Sequence, residues 1–140
     1  MDKLWLFSYG TLSDPEYIHL LLKRLPVYTE AVLPGYELLI HPANGYLFVA
    51  PSFGNEVAGM LFEITAKELL LLDLWEEVPL YEREEASVRT IAGEVRNAFV
   101  YVQKQTTGMP FSPQLAKSRR LILQEIEDFL ESVRRRGFGH

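Results

Sequence analysis

The sequence of 140 residues contains no cysteine, which excludes disulfides, thiolate nucleophiles and cysteine-ligated zinc sites. Histidine is scarce too, and His19, His41 and His140 do not have the spacing of a metal-binding pair. The sequence also lacks a Gly-x-Ser-x-Gly elbow, a phosphate-binding loop and a dinucleotide fingerprint. We therefore predict that the protein uses no metal and no other cofactor.

Net positive charge and long apolar runs are missing as well. The net charge of -5 argues against a nucleic-acid partner, because phosphate contacts need a basic face. The basic cluster at 134–136 suits the C-terminal end of a helix. No apolar run approaches the ~20 residues that a membrane-spanning helix needs, and Met1–Trp5 lacks a signal-peptide core. These absences predict no nucleic-acid partner, no membrane partner and a cytoplasmic location.

The local signals that are present predict one α+β domain over residues 1–140. Apolar or alternating runs predict strands at 4–9, 27–33, 36–41, 46–50, 56–64, 81–91 and 94–103. Cap residues and apolar stripes predict helices at 15–25, 66–75 and 113–136. Turn signals lie at 34–35, 44–45, 52–55 and 92–93, and Gly59 marks a bulge or a close backbone approach. Strands joined mostly by hairpins favour a curled sheet or small barrel, flanked by about three helices.

The first candidate site follows the opening strand, at Tyr9-Gly10-Thr11-Leu12. A strand, a glycine-containing loop and a helix start can direct backbone amides at an anion such as a carboxylate. Glycine also lets a ligand approach the backbone closely. Two observations favour an ordinary turn instead: strand-turn-helix connections are common, and the nearby Asp14 would repel an anion.

The second candidate site is the acidic stretch 72–78. Asp73 and Glu76 are three residues apart, so on a helix they share a face with Leu69 and Leu72. Partial burial on such a face raises the pKa of a carboxyl towards that of a working base. The alternative is a solvated acidic helix end, which is the usual environment of a carboxylate.

Taken together, these stretches resemble the gamma-glutamylcyclotransferase-like family. The resemblance rests on Tyr9-Gly10-Thr11-Leu12, on Leu72-Asp73-x-x-Glu76 followed by Tyr81-x-Arg83, and on the strands at 57–64 and 98–102. It implies a small mixed β-barrel with flanking helices. It also implies an enzyme that cyclises the glutamyl group of a γ-glutamyl amine or γ-glutamyl amino acid and releases 5-oxoproline.

The resemblance also implies roles for individual residues. Tyr9, Gly10, Thr11 and Leu12 would hold the glutamyl carboxylate and amine of a small-molecule substrate. Glu76 would be the general acid–base, and Tyr81 would line the pocket. Two other interpretations remain open: a catalytically silent binder of a γ-glutamyl compound or similar carboxylate, and a protein-interaction module that uses the C-terminal helix.

Overall fold

The computed structural model describes residues 3–40, 47–76, 82–102, 109–110 and 118–135. In these ranges the chain forms, in order, β1 (Leu4–Ser8), a short 3₁₀ helix (Thr11–Ser13), α1 (Pro15–Leu22), β2 (Tyr28–Ile40), β3 (Leu47–Ile64), α2 (Ala66–Trp75), β4 (Glu82–Thr90), β5 (Val95–Val102), β6 (Met109–Pro110) and α3 (Arg119–Arg135). None of the helices in these ranges is both long and apolar enough to cross a membrane.

The strands form a closed barrel. Their order is β3-β1-β5-β4-β2-β6, and β2 also pairs with β3, which closes a ring of the first five strands in that order. The β1–β5 pair is parallel and the other pairs are antiparallel. The predicted α+β fold, a small mixed barrel flanked by three helices, is confirmed.

Two hydrophobic cores lie on the two faces of this sheet. One contains buried residues from strands alone, such as Phe7 and Val100, and fills the barrel. The other adds buried residues of the helices, such as Ile18, Leu72 and Ile126, and lies between the barrel and the helices. Consecutive residues of β1 point into different cores, because side chains alternate along a strand. This strand is therefore covered on both faces.

The starts of α1 and α2 follow their sequence signals. Asp14 is the N-cap of α1 and accepts a hydrogen bond from the Glu16 amide, with Pro15 at the first helical position. Thr65 and Glu68 form the predicted capping box at α2. Partial burial alone would raise the pKa of Glu68, but hydrogen bonds from Arg24 and Thr65 outweigh it and hold that pKa below its usual 4.5.

The end of α1 differs from the prediction. The helix ends at Leu22 rather than at residue 25, because Lys23 adopts the left-handed conformation, with φ of 61°. A residue in this conformation stops the helical hydrogen-bond ladder and turns the chain away. Arg24 then reaches α2, where it makes a bidentate ion pair with Glu68 at 2.5 and 2.6 Å.

Two predicted turns lie inside long strands. β2 runs through Pro34-Gly35 and β3 runs through 52–55, so the prediction that these turns separate strands is wrong. Glu56 lies opposite Pro34 and Pro51 lies opposite Tyr36, so residues 52–55 bulge out against Gly35 alone. The continuing ladder on both sides of the bulge outweighs the local turn signal. The hairpin at 92–93 is confirmed, whereas the turn predicted at 44–45 lies outside the described residues.

The last described helix begins after Ser118. Ser118 is its N-cap, since the Ser118 hydroxyl accepts from the Leu121 amide at 3.2 Å and the Ser118 carbonyl accepts from the Ile122 amide at 3.1 Å. The helix spans Arg119–Arg135, and the predicted bounds at 113 and 136 lie outside the described residues. Its predicted apolar stripe is confirmed, because Ile126 is buried in the helix-side core and Phe129 meets Trp75 of α2 edge to face at 5.4 Å.

Candidate functional site

The first predicted site is a tight turn between β1 and α1. The Ser13 amide and hydroxyl both donate to the Gly10 carbonyl, at 3.0 and 2.6 Å. Thr11 and Leu12 open the 3₁₀ helix, and the first amides of a helix have no partner within it. Leu12 is only 3% exposed and belongs to the helix-side core. Its side chain is therefore part of the core and is not available to a ligand.

Backbone strain does not explain why residue 10 is a glycine. Its φ is not in the left-handed region, unlike those of Gly35, Gly54 and Gly93. A Cβ placed on it would lie 3.6 Å from Leu47, which is ordinary van der Waals contact. The fold thus tolerates alanine at position 10. The remaining physical reason that we identify for a glycine there is the close approach of a ligand.

Tyr9 joins this turn to β5. Its ring packs against the barrel-filling core, and its hydroxyl donates to the backbone carbonyl of Tyr101 at 2.5 Å. The hydroxyl thus holds the end of β1 against the end of β5, next to the turn at Gly10.

The second predicted site also contacts Tyr101, through the Tyr101 side chain rather than its backbone carbonyl. The Tyr101 ring is buried in the helix-side core, and its hydroxyl donates to Asp73 Oδ1 at 2.6 Å. Arg83 donates to Asp73 Oδ2, and its guanidinium lies over the Phe99 ring at 5.2 Å. Arg83 and Tyr101 are directly opposite each other on β4 and β5, so both reach one carboxylate of α2.

Glu76 ends α2 one turn after Asp73. It is half-buried, and its amide donates to the Leu72 carbonyl at 2.9 Å. Burial, then the hydrogen bond and charge of Asp73, then the charge of Glu76 raise the pKa of Tyr101 above its usual 10.0. Glu76 thus lies within electrostatic reach of Tyr101, whose phenol keeps its proton at physiological pH and acts only as a hydrogen-bond donor.

Arg119 of α3 offsets the acidic groups beside the turn. Its guanidinium lies 3.9 Å from Asp14, forms an ion pair with Glu16 and covers the Tyr17 ring at 5.3 Å. The repulsion that Asp14 would exert on an anion at the turn is therefore partly neutralised by a neighbouring cation.

The structure thus brings Tyr9 and Asp73 to Tyr101 from opposite sides, with Gly10, Thr11 and Leu12 adjoining Tyr9 and Glu76 following Asp73 by one turn. Tyr81 lies outside the described residues. Sequence reasoning assigned no role to Tyr101 or Arg83. Tyr101 lies in an apolar strand, where the sequence does not distinguish it from other core residues. Only the β4–β5 register places Arg83 opposite it. Among the described residues, no three histidine, aspartate or glutamate side chains are grouped closely enough to hold a metal ion.

The domain is thus a small mixed barrel in which residues at the end of β1 and in the last turn of α2 both contact one buried tyrosine, Tyr101. The sequence model of the family described as "Gamma-glutamyl cyclotransferase, AIG2-like" matches residues 6–124. The chain belongs to this family.

Curated relatives agree with this assignment. The chain is 35% identical over 101 residues to AIG2-like protein C of Arabidopsis thaliana, which covers 71% of the chain and 58% of the relative. It is 30% identical over 105 residues to a Methanocaldococcus jannaschii protein whose name includes gamma-glutamylcyclotransferase. This match covers 74% of the chain and 47% of the relative. The chain thus spans about half the length of these curated relatives.

Two solved structures show the same fold. A solution structure from Arabidopsis thaliana superposes with a TM-score of 0.72 at 23% identity, covering 96% of this chain and 82% of that one. A structure titled "Gamma-glutamyl cyclotransferase" superposes with a TM-score of 0.69 at 21% identity, covering 91% and 80%.

Proposed function

We propose that the protein cyclises the glutamyl group of a γ-glutamyl amine or γ-glutamyl amino acid, releasing 5-oxoproline and the free amine or amino acid. The observation that carries this proposal is that Tyr9, beside the turn at Gly10, and Asp73, which precedes Glu76 by one turn of α2, both bond to Tyr101, in a member of this family. A carboxylate-holding turn and a proton-transferring carboxylate are the two elements that this reaction requires.

The substrate of this reaction carries its own nucleophile. The nitrogen of the glutamyl α-amine attacks the side-chain carbonyl carbon, a five-membered ring closes, and the bond from that carbon to the leaving nitrogen breaks. Well-oriented intramolecular reactions reach effective molarities of ~10⁵ M or more. The protein therefore needs neither a nucleophilic side chain nor a metal, provided that it holds the substrate folded.

Glu76 supplies the proton transfers in this proposal. It accepts a proton from the attacking amine and returns it to the leaving nitrogen, as one general acid–base can do in turn. Burial raises the pKa of a glutamate towards the range in which it works as a base near neutral pH. In the same helical segment Leu72 is fully buried and Trp75 packs against the helix-side core.

The Tyr9–Leu12 turn holds the glutamyl group in this proposal. Backbone amides at the start of a helical turn bind a carboxylate without a charged side chain, and Arg119 partly neutralises the acidic residues nearby. Tyr81 then lines the pocket, as the family resemblance implies.

A substrate panel tests the proposal directly. The purified protein is incubated with γ-glutamyl amines and γ-glutamyl amino acids, and 5-oxoproline release is measured. The matched controls are the same compounds with an acetylated α-amine, which lack the nucleophile and should release none. The proposal is wrong if no unblocked compound yields 5-oxoproline above the enzyme-free rate. Thermal stabilisation by those compounds without turnover would instead indicate a silent binding domain.

Gly10→Val is expected to weaken binding of the glutamyl group more than it weakens folding. The two added methyl groups crowd the turn, and losing one charge-assisted hydrogen bond costs ~1.5–3 kcal/mol, or roughly tenfold to hundredfold in affinity. Binding is measured by isothermal titration with 5-oxoproline and with a non-cyclising acetylated substrate. Gly10→Ala is the folding control, since its Cβ fits beside Leu47. Wild-type affinity in Gly10→Val would show that the turn does not hold the ligand.

A further inference from the structure

Tyr101 is the shared contact of the two halves of the candidate site. Its backbone carbonyl accepts the Tyr9 hydroxyl, which belongs to the end of β1, and its own hydroxyl donates to Asp73 of α2. The residue is only 4% exposed, so both contacts are made by a buried residue. Its position thus determines how far the end of α2 lies from the end of β1.

Asp73 completes this connection on the side of the helix. Both of its carboxylate oxygens accept hydrogen bonds, one from Tyr101 and one from Arg83. Arg83 is itself held over the Phe99 ring, and it faces Tyr101 across the β4–β5 ladder. Side chains from two neighbouring strands, β4 and β5, therefore donate hydrogen bonds to one carboxylate in the last turn of α2.

Glu76 follows Asp73 by three residues, so the two side chains lie on the same face of the helix. The amide of Glu76 donates to the Leu72 carbonyl at the end of α2. Helix ends fray unless they are fixed by contacts with the rest of the fold. Asp73 is placed where it can prevent fraying of the turn that carries Glu76.

We propose that Asp73 and Tyr101 are positioning residues, which fix the C-terminal turn of α2 on the barrel and so set the place of Glu76 relative to the turn at Gly10. The catalytic part of this inference rests on the proposed function, while the structural part does not. In this proposal Asp73 holds the helix end through both of its oxygens, and Glu76 carries out the proton transfers. Arg83 balances its charge, so that Glu76 does not sit beside an uncompensated carboxylate.

Two conservative variants test the proposal. Tyr101→Phe keeps the buried ring and the carbonyl that Tyr9 contacts, but it removes the hydroxyl that donates to Asp73. Asp73→Asn keeps the shape of the side chain but removes the charge that Arg83 binds. The matched control is Arg24→Gln, which removes the ion pair to Glu68 at the opposite end of α2.

The first measurement is hydrogen exchange at single amides, which needs no substrate. Tyr101→Phe and Asp73→Asn should speed exchange of the Glu76 amide and leave that of the Leu69 amide, which bonds to Thr65 at the start of α2, unchanged. Arg24→Gln should do the opposite. Unchanged Glu76 exchange in both variants, or faster exchange of the two amides alike, would overturn the proposal. Loss of the fold in both variants would overturn it too, since the cluster would then serve folding alone.

The second measurement separates kcat from KM. A misplacement of about 1 Å costs roughly 10²-fold in rate, so both variants should lower kcat by about that factor while KM changes little. Arg24→Gln should match the wild type in both constants. A rise in KM at unchanged kcat would assign Asp73 and Tyr101 to ligand binding and overturn the positioning role. If the wild type itself releases no 5-oxoproline, the proposed function fails, and the exchange measurement alone decides whether these residues hold Glu76.

Discussion

Glu76→Gln is expected to lower the rate of 5-oxoproline release by ~10²–10⁴-fold, the usual cost of losing general acid–base catalysis. The amide keeps the size and the hydrogen-bonding reach of the carboxylate, but it cannot accept and return a proton. The glutamyl group should therefore still bind, and KM should stay close to that of the wild type. The measurement is steady-state 5-oxoproline release by the folded variant, with binding checked separately by titration.

Glu77→Gln is the matched control, because it makes the same chemical change one residue further along. Neighbouring helical residues point about 100° apart, so the sequence predicts that Glu77, which lies outside the described residues, does not share the environment of Glu76. Its substitution should alter the rate by less than about twofold, since a solvated carboxylate takes no part in the proton transfer. A dead Glu77→Gln with an active Glu76→Gln would move the role to the neighbouring residue. Full activity in both variants would exclude a glutamate at this helix end as the proton shuttle.

The parts of the fold that sequence reasoning predicts well are those with a local cause. Asp14 with Pro15, and Thr65 with Glu68, satisfy helix amides within a few residues of themselves, so their patterns predict helix starts without knowledge of the rest of the chain. The same is true of the hairpin at Ala92-Gly93, where Gly93 has a φ of 90°.

The features that sequence reasoning misses depend on distant partners. The bulge at 52–55 has turn-type residues, yet β3 continues because β2 pairs with it on both sides. Lys23 ends α1 in the left-handed conformation, although the sequence has no glycine there to predict it. In both places the tertiary context overrides a local propensity.

The candidate site divides in the same way. The Tyr9–Leu12 turn and the face that carries Asp73 and Glu76 follow from strand and helix patterns. That Tyr101 would receive contacts from both could not be predicted, because it requires β1 to lie parallel to β5 and α2 to pack over the same strand. The β4–β5 hairpin fixes the position of Arg83 opposite Tyr101, but nothing local shows that Asp73 reaches them both.

Gly59→Ala is expected to destabilise the protein by about 3 kcal/mol, at the upper end of the cost of overpacking a core. The prediction that Gly59 marks a close backbone approach is confirmed, since a Cβ there would lie 2.4 Å from the Ser8 carbonyl oxygen and 2.6 Å from the Phe7 ring. Phe7 is 1% exposed within the barrel-filling core, and the Ser8 oxygen belongs to the backbone, so neither can move aside easily to make room for a Cβ. β1 and β3 must then separate, and a loss of this size lowers Tm by roughly 10 °C, as measured by thermal unfolding.

Gly10→Ala is the matched control for this experiment. It adds the same methyl group to a glycine without positive φ, at a place where the Cβ meets only Leu47 at 3.6 Å. Its Tm should stay within a few degrees of the wild type, because no atom has to move. Because Ser8 leads directly into Tyr9 and Gly10, a Gly59→Ala protein that still folds should also bind the glutamyl group more weakly. Equal Tm values for the two alanine variants would mean that β1 relaxes away from β3 at little cost, and that the turn at Gly10 is not held in place by the packing beneath it.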